Sequence, residues 1–185
     1  MLIRRLVPSD AVAYQSLRLA ALRESPTAFS SSYEEECDTP LSTIEAHMAP
    51  DSGRNRFGAF DGADLVAVVG VGREGARKVH HNGFIGGMFV APAWRDKGLG
   101  RQLLEQALAF ADAMPGLHQV TLTVTAGNAA AVTLYESMGF VVFGRAPDAL
   151  LVDGVSYDDI QMVRAVKAGM TFRRSLDSPT ALAVR

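Results

Sequence analysis

A chain of 185 residues, 48% hydrophobic and 21% charged, has the composition of an ordinary globular protein with a core of its own. Eighteen Lys and Arg against 20 Asp and Glu leave a formal charge of -2, which gives no reason to expect nucleic acid or a membrane surface as partner. A single cysteine, Cys37, excludes an intramolecular disulfide. The first residues lack the apolar run of a signal peptide and no stretch approaches the roughly 18 apolar residues of a membrane span, so a reducing cytoplasm is the expected location.

Leu2 to Leu6 predicts a first strand, and Pro8, Ser9 and Asp10 offer a helix start. The helix carries Tyr14, Leu17, Ala21 and Leu22 at helical spacing and runs to about Arg23, where Ser25 and Pro26 break the pattern. Residues Thr27 to Pro50 are polar and acidic, with a further helix expected over Leu41 to Met48. Within them Glu34, Glu35 and Glu36 read most simply as a solvated helix face. Arg56 to Phe60 and Leu65 to Gly72 flank the tight-turn pair Asp61 and Gly62 and predict an antiparallel hairpin. After a polar turn near Glu74 to Lys78, His81 to Val90 reads as a long strand. Gly86 and Gly87 inside it mark a bulge or the close approach of another backbone.

That strand feeds Met88 to Arg101, M-F-V-A-P-A-W-R-D-K-G-L-G-R. Pro92 stops the apolar run, and two glycines open a helix whose leucines recur at Leu99, Leu103, Leu104 and Leu108. Gly98 and Gly100 let the backbone approach a ligand closely, and the unpaired N–H groups of the first helical turn favour an anion there. Arg95, Lys97 and Arg101 add positive charge, with Asp96 between them. A Walker A loop is excluded, because Lys97 precedes Gly98 and no hydroxyl residue follows Gly100. The dinucleotide fingerprint is absent as well, since Arg101, Gln102 and Leu103 follow Gly100. The stretch reads as a pyrophosphate cradle of another kind.

The cradle helix is expected to end at Pro115 and Gly116. Val120, Leu122 and Val124 alternate with Thr121, Thr123 and Thr125 as a strand with one polar face. Asn128 is a good N-cap for a helix from Ala129 to Met138 closed by Gly139, and Asn128, Ala131 and Tyr135 share one face of it. Phe140 to Phe143 and Val155 to Met162 finish the sheet, with Asp153 and Gly154 as a hairpin turn. Beyond about Ala165 the pattern lapses, so residues 1–165 read as one domain of mixed α/β (α+β) layers and residues 166–185 as a loosely held tail.

The stretch Val90 to Gly100 resembles the acetyl-CoA-binding motif of the GCN5-related N-acetyltransferase superfamily, in which a Q/R-x-x-G-x-G/A loop grips the CoA pyrophosphate. Val124 to Phe140, V-T-A-G-N-A-A-A-V-T-L-Y-E-S-M-G-F, resembles that family's N-A-x-A-x-x-L-Y helix and the strand start after it. Two motifs in the right order carry far more weight than either alone. The resemblance implies a central, mostly antiparallel sheet of about seven strands, splayed between the fourth and fifth and flanked by about four helices. It implies transfer of an acetyl group from acetyl-CoA to a primary amine by direct attack in a ternary complex, without a metal. The alternative is a CoA-binding sensor of the same fold without turnover.

Residue by residue, the resemblance assigns the cofactor to Met88, Phe89, Val90, Arg95, Asp96, Lys97, Gly98, Leu99, Gly100, Arg101, Asn128 and Tyr135. Tyr135 would protonate the departing thiolate, since a phenol's pKa of about 10 lies near a thiol's. No carboxylate stands on the fourth strand near Phe84 and Ile85, where some members carry their base. His80 or His81 could accept the proton, although a polar strand end explains both equally well. The first helical connection would wall the acceptor site, which places Glu34 and Glu35, with His81, as candidate substrate contacts. Acidic walls would suit a cationic amine. Small-molecule and peptide acceptors both remain open, as does a homodimer.

Overall fold

The computed structural model describes residues 1–50 and 53–166. The tail expected over 166–185 lies, but for Val166, outside the described residues. Seven strands form one sheet: β1 (Leu2–Arg5), β2 (Arg54–Asp61), β3 (Asp64–Arg73), β4 (Asn82–Val90), β5 (Gln119–Thr125), β6 (Val141–Val152) and β7 (Val155–Ala165). The order across the sheet is β1-β2-β3-β4-β5-β7-β6. Every neighbouring pair is antiparallel except β4 and β5, which run parallel. Among the described residues five α-helices accompany it: α1 (Ala11–Glu24), α2 (Tyr33–Glu36), α3 (Leu41–Met48), α4 (Leu99–Asp112) and α5 (Ala129–Ser137). The expectation of about four allows for α2, which is a single turn.

The two faces of the sheet bury separate cores. On one, Leu99, Leu103, Leu104 and Leu108 of α4 pack on Val69, Val71, Ile85 and Val120, which is the stripe that the leucine spacing predicts. On the other, Leu17, Ala21 and Leu22 of α1 and Ile44 and Met48 of α3 cover Phe60, Leu65, Val68 and Phe89. Both tight turns form where the sequence puts them, with Gly62 at φ 59 and with Asp153 and Gly154 at φ 50 and 77.

β6 is the main departure from the sequence reading. The sequence reading ends this strand at Phe143, short of Pro147 and of Asp148, which is left-handed at φ 52. β6 instead continues to Val152, because an edge strand tolerates a proline and the ladder resumes after a bulge between Ala146 and Leu150. Asp158 holds the bulge by accepting the Asp148 N–H at 3.0 Å and ion-pairing with Arg145 at 2.8 Å. Among the described residues no helix is long and apolar enough to cross a membrane.

Candidate functional site

The site is a gap in the sheet. β4 and β5 are paired only from Asn82 to Phe84 against Gln119 to Thr121, and beyond Phe84 they part. The cause lies in β4. Gly70 pairs with Gly86 and Val68 with Phe89, so the single β3 residue between them faces two on β4, Gly87 and Met88. Gly87 takes the extra turn at φ 59, a left-handed conformation that costs a side-chain-bearing residue about 1–2 kcal/mol. The bulge bends β4 away from β5 and leaves a cleft of about 620 Å³.

The cleft gathers most of the expected cofactor residues. β4 contributes Met88, Phe89 and Val90, the following loop Arg95, Asp96 and Gly98, the start of α4 Leu99, Gly100 and Arg101, and α5 Asn128 and Tyr135. Lys97 is not among the lining residues: its ammonium donates to the Ala93 carbonyl at 2.9 Å and sits 4.8 Å from the Trp94 ring centre. At the loop, Asp96 and Gly98 are left-handed, at φ 60 and 74. The first intrahelical bond of α4 runs from Gln102 N–H to the Gly98 carbonyl, so helix geometry leaves the N–H groups of Leu99, Gly100 and Arg101 free for an outside acceptor. Gly100 serves packing instead, since a Cβ there would come within 3.2 Å of the Met88 methyl. A diphosphate fits this helix start, and an extended chain fits the strand-wide gap below it.

Two side chains of the loop are already engaged. Arg95 forms a bidentate pair with Glu24 at the end of α1, at 2.7 and 3.0 Å, and donates Nε–H to the Val90 carbonyl at 3.0 Å. The guanidinium, helped by the Ser25 hydroxyl, holds the Glu24 carboxyl below the usual carboxylate range. Arg101 ties α4 to the end of α5 through Ser137 Oγ at 2.8 Å and Met138 Sδ at 3.3 Å. Asn128 caps α5, its Oδ1 accepting Ala131 N–H at 3.1 Å.

Tyr135 is 8% exposed, its ring against Phe140 and its hydroxyl donating to Met88 Sδ at 3.7 Å. Burial pushes its pKa up to about 12, because a phenolate there would be desolvated. It therefore stands protonated at any physiological pH, as a donor.

A second hollow of about 550 Å³ reaches Gly86 and Gly87 from the α1 and α3 side, between Tyr14, Arg18, Glu36, His47, Arg54 and Arg56. Arg18 holds Glu36 through Nε and one terminal nitrogen, at 2.9 and 2.7 Å. Glu34 and Glu35 do not line it. They border a separate hollow with Arg23 and the β6 residues Leu150 to Val152, and Glu35 closes a capping box by accepting Ser32 N–H at 2.7 Å. His81 precedes β4, with its ring 5.4 Å from that of His118, at the end of the strand away from the bulge. His80 Nδ1 lies 3.0 Å from the Glu74 carbonyl. Among the described residues no group of three or more His, Cys, Asp or Glu could hold a metal.

The sequence reading had not placed Glu24, Arg18 or Arg56 at the site. Only for Arg56 was a signal present: Arg54 and Arg56, two apart on a strand, share a face. Glu24 and Arg95 are joined by folding across 71 positions, and no local pattern announces that.

Comparison with known proteins gives this arrangement of cleft, glycine loop and buried tyrosine a family. The chain belongs to the Acetyltransferase (GNAT) family, whose model matches residues 19–140. An acetyltransferase of the GNAT family from Streptococcus pneumoniae superposes with a TM-score of 0.80 at 25% identity, over 90% of this chain and 99% of that one. Spermidine N(1)-acetyltransferase of Vibrio cholerae is 34% identical over 74 residues, 40% of this chain and 42% of that protein. An L-methionine sulfoximine/L-methionine sulfone acetyltransferase of Pseudomonas aeruginosa is 38% identical over 60 residues, 32% of this chain and 34% of that one. The matched segments thus span less than half the length of these curated relatives.

Proposed function

We propose that the protein is a cytoplasmic N-acetyltransferase that moves an acetyl group from acetyl-CoA to a primary amine in a ternary complex. The observation that carries this reading is the Gly87 bulge, which opens β4 from β5 with the Tyr135 hydroxyl in the cleft. The N–H groups of Leu99, Gly100 and Arg101 would hold the pyrophosphate, and the freed edge of β4 from Gly87 to Val90 would hold the pantetheine arm as an added strand. When bound, acetyl-CoA supplies a thioester whose carbonyl carbon gains a C–N bond as its C–S bond breaks.

The chain's own groups do the rest. N–H groups of the β4 edge stabilise negative charge growing on the carbonyl oxygen. Gly86 and Gly87 let the amine in from the α1 side, where it arrives neutral and gives its proton to solvent. Tyr135 donates to the departing sulfur and regains a proton from solvent, so the proton that the amine loses and the one that the thiol gains balance. At a pKa of about 12 the phenol is a weaker acid than a free thiol, so complete transfer to an ordinary thiolate would be uphill. The same desolvation makes a buried thiolate more basic, which brings donor and acceptor back toward a match. Thiol release from acetyl-CoA in the presence of a panel of amines tests the proposal. Tight acetyl-CoA binding with no amine-dependent thiol release would defeat it.

A further inference from the structure

Three positions lie side by side across the sheet. Arg56 on β2 pairs with Gly70 on β3, and Gly70 pairs with Gly86 on β4. Residues paired in this way point to one face, here the side covered by α1 and α3. Only Arg56 carries a side chain, and Gly70 could carry none, since a Cβ would lie 2.9 Å from the Gly86 carbonyl oxygen. The result is a bare strip leading from a guanidinium to the point where the bulge opens the cleft. At a strand spacing of about 4.8 Å, the backbones of Arg56 and Gly86 are about 10 Å apart, which suits a small ligand.

The charge around this strip is one-sided. Arg18, Arg54 and Arg56 line the hollow with His47, and among the described lining residues Glu36 is the one carboxylate. Arg18 already satisfies it with two hydrogen bonds. Arg56 lies 4.8 Å from the Tyr14 ring centre, and among the described residues the hydrogen bond of its side chain goes to the His47 carbonyl at 3.3 Å. A guanidinium has five N–H donors, so most of this fork stays available for an anion. The adjoining smaller hollow, beside Thr121 to Thr125, repeats Arg18 and adds Asp159. A cationic amine such as a polyamine would meet arginines on the main side, whereas a carboxylate would gain the fork of Arg56.

We infer that the acceptor is a small amine that also carries a carboxylate or similar anion, with the amine at Gly86 and Gly87 and the anion held by Arg56. This substrate class rests on the acetyltransferase reading above and goes further by reversing the preference for a cationic acceptor that the acidic sequence around Glu34 suggests.

The test is acetylation of the proteinogenic L-amino acids, their C-terminal amides and spermidine, with acetyl-CoA saturating. At least one acid should exceed its own amide by roughly tenfold in kcat/KM, since the amide loses a charge-assisted bidentate contact. Arg56→Gln should shrink that acid-to-amide ratio at least about fivefold and Arg56→Lys should restore part of it, which loss of packing on Tyr14 would not do. Amides or spermidine preferred over every acid, or a ratio indifferent to Arg56→Gln, would overturn the inference. If nothing is turned over, calorimetry with the same ligands and the CoA complex decides between the two claims. Tighter binding of an acid than of its amide, lost in Arg56→Gln, upholds the anion site at Arg56 and counts against the transferase reading alone; equal or absent binding sinks the inference.

Discussion

The hydroxyl of Tyr135 on α5 lies 3.7 Å from the sulfur of Met88 on β4, across the opening that the Gly87 bulge makes in the sheet. The contact joins the two motifs of the sequence, 47 positions apart, at one point. A thioether is a weak acceptor, so little holds the phenol there against a better partner.

Tyr135→Phe keeps the ring and its packing on Phe140 and removes only the donor. The expected outcome is a fall in kcat of roughly 10²–10⁴ with the KM for acetyl-CoA nearly unchanged, because the proton is needed only as the C–S bond breaks. Steady-state kinetics on the purified variant decide it. Full activity would make Tyr135 a packing residue.

The same residue predicts a pH effect on stability. Its pKa is about 12 in the folded protein and about 10 when unfolded, so between those values the folded state binds more protons. The stabilisation is complete below pH 10, is lost as the pH rises through 12, and amounts to about 2–3 kcal/mol. Denaturant melts of the wild type should therefore lose stability from pH 10 upward more steeply than those of Tyr135→Phe. Parallel curves would show that the phenol is not buried in solution.

Gly98 separates conformation from access. Its φ of 74 is left-handed, while the nearest atom to a built Cβ is Gln102 Nε2 at 4.0 Å, so protein atoms leave room for a side chain. Gly98→Val should cost at least about 1–2 kcal/mol of stability through backbone strain and abolish measurable CoA binding. Gly98→Asn tolerates the left-handed backbone, so it should fold nearly as the wild type and still bind CoA at least about tenfold more weakly, because its side chain would stand in the proposed pyrophosphate site. Wild-type affinity in Gly98→Asn would mean that the glycine serves only the turn.

The Glu24 pair with Arg95 fixes the loop to α1. Glu24→Gln removes the charge and keeps the shape, and should weaken acetyl-CoA binding by on the order of threefold, the modest effect expected of an exposed pair. The wild-type affinity should also fall as acid protonates Glu24, since a carboxyl held below its usual range keeps its contribution above that range and loses it as the pH drops. Calorimetry from pH 6 down to about pH 3 on both proteins checks this. A pH response shared by the variant would assign it to another group.

Much of the scaffold was legible because local rules decide it. The leucine stripe of α4, the turns at Gly62 and Gly154 and the glycine bulge of β4 each follow from a few adjacent residues, and the structure has all of them. The end of β6 was not legible, since Pro147 breaks a strand in isolation and is tolerated only because β6 forms the sheet edge.

By itself the sequence determined the seven strands in chain order, because periodicity, capping and glycine placement act over one or two turns of chain, and the resemblance carried by its two motifs implied the family and the candidate residues between Met88 and Tyr135. The tertiary structure decided which charges meet. Glu34 and Glu35, an acidic wall on paper, border a hollow other than the one at Gly86 and Gly87, and Lys97 turns to Trp94. Arg56 comes beside Gly86 only through two strand registers, and Arg95 finds Glu24 across 71 positions of the chain. Electrostatic partners are set by distance in space, and spacing along the chain does not encode that distance once a sheet has brought remote strands together.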